Sequence, residues 1–269
     1  MKYILIVTGA LLVCFAISFV LARLLTKNAK KHRVLKSGFL TVLVGLILLV
    51  ATTLAYMSVS YGALDTALTA MKGNETVTVE KVDGGYFFDG PGNNTALVFY
   101  PGAKVECQGY APLMLQLAEN GIDCFLADMP FSFSIFGMNM ADKFIDEYDY
   151  KKWVMAGHSL GGVVAADYAI NHSDSVEGIV LLASYSSKEV SDDIKLVTIY
   201  GSEDGCLNIE EYNKNKVNWP KNTVEYIIEG GNHCQFGDYG WQDGDGVAYI
   251  SASQQWFFTT KYICDYFNK

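Results

Sequence analysis

Two glycines flank a serine at equal distances in Gly157-His158-Ser159-Leu160-Gly161, and no other feature constrains this chain as much. The stretch follows a short apolar run, Trp153 to Ala156, and opens a run of helical character, Val163 to Ile170. A serine held in a sharp turn between strand and helix sits in a strained backbone conformation. The positions two before and two after it must then be nearly free of side chain, so that strand and helix can approach. This reading places Ser159 exposed at the carboxyl end of a strand, as a candidate nucleophile.

Further apolar runs share this layout. Val77 to Val82 and Tyr86 to Phe88, separated by Asp83-Gly84-Gly85, read as a hairpin. Thr95 to Tyr100, Cys124 to Ala127, Trp153 to Ala156, Val176 to Ala183, Leu196 to Tyr200 and Val224 to Ile228 read as strands. Helical stretches are expected at Tyr110 to Asn120, Phe136 to Tyr148, Val163 to Ile170 and Ser253 to Phe267. Strands alternating with helices require a mainly parallel α/β sheet with helices on both faces. Met129 to Ala141, uncharged and rich in Phe and Met, reads as core and helix-face packing, with an acyl pocket or a bilayer contact as the alternative.

Two of the later strands end in polar loops. Gly201-Ser202-Glu203-Asp204-Gly205 follows Tyr200, and Glu229-Gly230-Gly231-Asn232-His233 follows Ile228. A serine nucleophile needs a base, and four histidines compete for that role. His32 lies in a basic segment, His158 adjoins the serine and is expected to point elsewhere, and His172 follows the helix away from the turn. His233 is the remaining candidate. Asp204 or Glu203 would accept the hydrogen bond that fixes its tautomer. A zinc site from Asp204, Cys206, His233 and Cys234 has suitable ligand types but leaves the serine turn unexplained, so neither metal nor cofactor is expected.

The order Ser, Asp, His, each at a strand's carboxyl end, is that of the α/β hydrolases. From about Val77 onward the chain resembles that superfamily, in particular its small uncapped, dienelactone-hydrolase-like group. The resemblance rests on Tyr100-Pro101-Gly102-Ala103, Gly157-His158-Ser159-Leu160-Gly161-Gly162, Gly201-Ser202-Glu203-Asp204 and Gly231-Asn232-His233. It implies a Ser159, Asp204, His233 triad, with Asp204 matching the acid position better than Glu203. It also implies an oxyanion hole from the backbone N–H groups of Leu160 and Ala103. Dienelactone hydrolases proper carry a cysteine where this chain has Ser159, and Tyr100 to Ala103 departs from the HGGG pattern of lipases. About a dozen residues separate Ala183 from Lys195, where many lipases insert a cap, which leaves no room for one.

The first 64 residues contain no Asp or Glu. Tyr3 to Ala22 and Phe39 to Leu64 are uncharged runs of 20 and 26 residues. At ~1.5 Å per helical residue each spans a ~30 Å hydrocarbon core. Two transmembrane helices, about 3–24 and 39–61, are expected in the region 1–64, followed by a linker at 65–76 and a hydrolase domain at 77–269. A signal peptide is the competing reading of the first run, but the run is too long and Arg23 stands where a small-residue cleavage site belongs. The segment between the runs, residues 23 to 36, is rich in Lys and Arg. The positive-inside rule puts it in the cytoplasm and the C-terminal domain outside, in a multi-pass protein of the cell membrane.

Seven of the 20 Lys and Arg precede residue 62, so the remainder sets thirteen against all 29 Asp and Glu, a net charge of −16. Such a domain is unsuited to nucleic acid. Of six cysteines, five lie beyond the first run, and no C-x-x-C occurs. Cys206 and Cys234 neighbour the acid and the base, and an extracytoplasmic setting would permit a disulfide between them. The sequence thus points to a membrane-anchored serine hydrolase acting through an acyl-enzyme on small carboxylic esters or thioesters. An amidase or peptidase with the same triad, or a non-catalytic binding module of this fold, are the alternatives.

Overall fold

The computed structural model describes residues 2–26, 33–57, 59–92 and 94–267, with side chains except at 2–12, 25 and 33–35. The chain divides into two compact units, residues 1–59 and 60–269.

The first unit holds two helices, α1 (Lys2–Leu25) and α2 (Arg33–Met57). Among the described residues one stretch, Lys36–Met57, is long and apolar enough to cross a membrane. Small residues bring the helices together: Ser18, Ala22, Ser37 and Thr41 are buried, and a Cβ on Gly45 would lie 3.4 Å from Ser18 Oγ. Large apolar side chains such as Phe15, Phe39, Leu46 and Ile47 face outward. Most of the basic connector expected between the runs, residues 27–32, lies outside the described residues.

The second unit is built on eight strands: β1 (Thr78–Val82), β2 (Gly85–Asp89), β3 (Thr95–Tyr100), β4 (Asp123–Ala127), β5 (Lys152–His158), β6 (Val176–Leu182), β7 (Lys195–Gly201) and β8 (Thr223–Ile228). They lie in the order β1-β2-β4-β3-β5-β6-β7-β8, with β3 to β8 parallel and the β1–β2 hairpin antiparallel at one edge. The central strands are apolar throughout because both faces are covered. On one face Leu97, Phe99, Val154, Ala156, Val197 and Ile199 pack against α4 (Ala111–Glu119) and α8 (Ala252–Phe267). On the other, Ala96, Val98, Tyr100, Met155, Ile179 and Leu181 meet α6 (Leu160–Asn171). The alternation is the period of two that a strand imposes.

Three expectations need correction. Residues 65–70, placed in a linker, form a short helix, α3 (Asp65–Ala70), with Ala67 and Ala70 buried and the Ala67 N–H donating to Asp238 Oδ2 at 2.9 Å. The helix expected over Phe136 to Tyr148 shrinks to α5 (Asp142–Ile145). Before it come two 3-10 turns, at Pro130–Ser132 and Ser134–Phe136. Phe131 and Ser132 both have φ of 55°, which no α-helix accommodates. The packing role expected for Met129 to Ala141 is met by Met129, Ser134 and Ala141, whereas Phe131, Ile135, Phe136 and Met138 are exposed. A helix not expected from the sequence, α7 (Ile209–Asn215), is capped by Asn208, whose Oδ1 accepts from the Glu211 N–H.

Candidate active site

Parallel strands deliver their following loops to one edge of the sheet, and ligands of such folds bind beyond the strands' carboxyl ends. Ser159 follows β5, Asp204 follows β7 and His233 follows β8, so the three candidates share that edge.

Ser159 has φ 53° and ψ −124°, a conformation rare for a residue with a side chain. Its neighbours make the turn possible. A Cβ on Gly157 would lie 2.4 Å from the Gly161 carbonyl carbon, and one on Gly161 would lie 2.1 Å from the Tyr100 oxygen. The backbone is pinned by Ser159 N–H to Leu182 O at 2.9 Å and by Ser184 Oγ to Ser159 O at 2.7 Å. Leu160 opens α6, so its N–H lies among those a helix start leaves without an intrahelical acceptor. The loop bearing Ala103 abuts this turn through the Tyr100 and Pro101 oxygens. It is fastened from outside, Lys104 N–H donating to Ser132 O at 2.7 Å and Ser134 Oγ to Pro101 O at 2.7 Å.

Asp204 and His233 are brought together directly. His233 Nδ1 lies 2.9 Å from Asp204 Oδ2 and 3.1 Å from Oδ1, and each side chain is 2% exposed. Asp204 Oδ1 also accepts from the N–H groups of Cys206 at 2.9 Å and Leu207 at 2.7 Å, which fixes the carboxylate plane. Glu203 is engaged elsewhere, accepting from Ser202 Oγ at 3.0 Å. A carboxylate at Nδ1 places that ring proton there and leaves Nε2 as the acceptor. His233 Nε2 is buried and has no hydrogen-bond partner among the described residues. A pocket of about 240 Å³ is lined by both Ser159 and His233, with Leu160, Ser184, Tyr185 and Leu207 among the other walls.

His158 differs from expectation. It does not point away from the site: it is buried with its ring centroid 4.4 Å from that of His233. Its Nδ1 is 2.8 Å from Tyr110 Oη, which accepts the Gly102 N–H at 3.1 Å. Burial, and secondly the neighbouring His233, hold His158 well below the usual imidazole value. Burial likewise pushes the Tyr110 phenol up. Both are therefore neutral, and the Tyr110 hydroxyl links His158 to the loop that carries Ala103. The signal in sequence was the residue inside the glycine-serine motif itself, whose orientation depends on a tyrosine 48 residues away.

The expected Cys206–Cys234 disulfide is not formed; both are free thiols. Gln242 Nε2 donates to Cys206 Sγ at 3.4 Å, and Cys234 Sγ faces the Asn232 amide. Burial raises the two thiols to about 11 and about 12, so neither is a ready thiolate.

The Alpha/beta hydrolase family model matches residues 96–257. The chain belongs to the α/β-hydrolase family. A putative non-heme haloperoxidase of Mycobacterium phage D29 is 30% identical over 115 residues, covering 39% of this chain and 41% of the phage protein, so the chain spans less than half the length of that relative. Among solved structures, a predicted CIB-like hydrolase from Thermoplasma acidophilum is similar with a TM-score of 0.51 at 16% identity, over 70% of this chain and 98% of its own. Dienelactone hydrolase from Anabaena variabilis gives 0.51 at 12%, over 71% and 99%. A Vigna radiata epoxide hydrolase mutant gives 0.53 at 11%, over 72% and 99%. At these identities the structural likeness is one of fold.

Proposed function

We propose that this protein is a membrane-anchored serine hydrolase that cleaves small carboxylic esters or thioesters through an acyl-enzyme. The observation that carries the reading is the buried His233–Asp204 pair, which leaves Nε2 without a partner among the described residues, in a residue that lines one pocket with a strained Ser159. In this mechanism Ser159 Oγ attacks the acyl carbon as His233 Nε2 takes its proton. Asp204 stabilises the imidazolium, and the proton then passes to the leaving alcohol or thiol. The N–H groups of Leu160 and Ala103 receive the developing oxyanion. Water repeats the sequence to release the acid.

The dienelactone hydrolase among the structural neighbours supports an ester-type substrate by analogy of fold alone. The anchor rests on the length and apolarity of α2 and of the run at 3–22, which together would form a two-helix hairpin with the hydrolase domain outside the cytoplasm.

Fluorophosphonate labelling of the full chain in detergent tests the reading. Wild type should be labelled at Ser159 and Ser159→Ala should lose both label and ester turnover, while equal labelling of the variant would remove Ser159 from the role. Halide-dependent oxidation with peroxide, the chemistry in the phage relative's name, is the competing activity to assay on the same preparation. Oxidation that persists in Ser159→Ala without any ester turnover in wild type would favour it.

A further inference from the structure

Asp204 and His233 stand on separate loops 29 residues apart, and a catalytic hydrogen bond of 2.9 Å between them requires those loops to hold a fixed spacing. No covalent link does this, since Cys206 and Cys234 are free. A third segment lies between the loops. The turn Gln242 to Gly246, closed by Asp245 N–H to Gln242 O at 3.1 Å, inserts the Asp245 carboxylate into the space. That carboxylate is buried, and backbone N–H groups from both loops donate to it. Oδ1 accepts from Gly205 at 3.1 Å, on the acid loop. It also accepts from His233 at 3.1 Å, on the base loop, and from Gly246 at 2.8 Å. Oδ2 accepts from Cys234 at 2.8 Å. The glycines let the backbones close up: a Cβ on Gly246 would meet the Glu203 oxygen at 1.9 Å, and one on Gly205 would meet the Gly244 oxygen at 2.5 Å. Asn232 Nδ2 adds a bond to Gly246 O at 2.8 Å.

We propose that Asp245 is a positioning residue for the reaction, an ionic clamp that fixes the acid and base loops against each other; the proposal rests on the reading of Ser159, Asp204 and His233 as a triad. A carboxylate suits the task because it is acceptor-only, with lone pairs enough for four donors. Bonds from N–H to an ionised acceptor are about twice as strong as neutral ones. Asparagine keeps the shape but turns an N–H₂ toward amide N–H groups, so at least one side of the clamp is lost.

The experiment compares wild type, Asp245→Asn and Asp245→Ser as full chains in detergent, counting active sites by fluorophosphonate titration so that rates refer only to folded, competent protein. Expected is a fall in kcat per titrated site of roughly 10- to 100-fold in Asp245→Asn, the range a displacement of about 1 Å produces, with KM within about 2-fold. Asp245→Ser, which accepts without repelling, should fall less. An unchanged kcat per titrated site with merely less protein recovered would overturn the proposal. Amide hydrogen exchange on wild type supplies a readout that needs no variant: the Gly205, His233, Cys234 and Gly246 amides should be protected as one group. Rapid, independent exchange at those positions would overturn the clamp. If wild type fails to label while the four amides are protected together, the hydrolase reading fails and the clamp does not.

Discussion

Asp204 and Glu203 are adjacent acids, and their surroundings separate them. Asp204 meets His233 Nδ1 with both oxygens while two backbone N–H groups hold it in plane, whereas Glu203 bonds its own neighbour, Ser202. Asp204→Asn should therefore lower kcat on the order of 10⁴-fold, because an amide at that position favours the wrong imidazole tautomer. Glu203→Gln should change it by no more than a few-fold, and a larger loss for Glu203→Gln would transfer the acid role. His158 leads to a second expectation, about pH. Its folded value lies well below 6.5, so between that lower value and 6.5 the unfolded chain binds a proton that the native one refuses. Stability from this group is complete above about pH 6.5 and is lost as pH falls below it. Thermal unfolding followed from pH 7.5 to 5 should show the loss in wild type, and a flatter profile in His158→Gln. A variant as steep as wild type would place the pH dependence elsewhere.

Elements differ in how far they could be read in advance, and the cause is local. The strands were legible because each of β3 to β7 is a short apolar run covered on both faces, and with the parallel β8 beside them the carboxyl ends put Ser159, Asp204 and His233 at one edge. The segment 129–148 was not legible, because positive φ at Phe131 and Ser132 is carried by residues that do not advertise it, unlike a glycine. Asp245 was hidden for a different reason: its partners are backbone N–H groups of three loops, which carry no side-chain signature. The turn at Ser159 shows the opposite case, where sequence and sterics agree. Gly161→Ala would set a methyl 2.1 Å from the Tyr100 oxygen, against backbone that cannot give way. Overpacking of this kind costs about 1–3 kcal/mol or more, so chemical denaturation should show a lower midpoint than for an alanine placed at Gly62, where the nearest atom would lie 3.6 Å away. The pocket bounds the substrate in the same geometric way. At about 240 Å³ it lies below the ~300–1,000 Å³ of drug-sized sites. Aryl esters of two to four acyl carbons should be turned over faster per site than those of twelve or more, and the reverse order would direct attention to the exposed Phe131, Ile135, Phe136 and Met138.

Over the whole molecule, charge is divided as sharply as hydropathy. Residues 1–61 carry seven Lys or Arg and no acid, and the rest of the chain carries a net charge of −16. Positive charge close to the ends of membrane spans is retained on the cytoplasmic side, whereas long acidic domains cross regardless of charge. In the proposed topology the six basic residues of segment 23–36 would set the orientation, and the acidic domain would follow its anchor. A domain of that charge would also be repelled by anionic headgroups. The arrangement makes a definite prediction for intact cells. Lys188, Lys214 and Lys221 are exposed, with 58%, 72% and 85% of their side chains accessible, so an impermeant amine-reactive biotin should modify them without lysis. If segment 23–36 is cytoplasmic as proposed, Lys30 and Lys31 should react only after the membrane is opened. Mass-spectrometric mapping of the two samples distinguishes the orientations, and early modification of Lys30 and Lys31 with Lys221 protected would put the hydrolase domain in the cytoplasm.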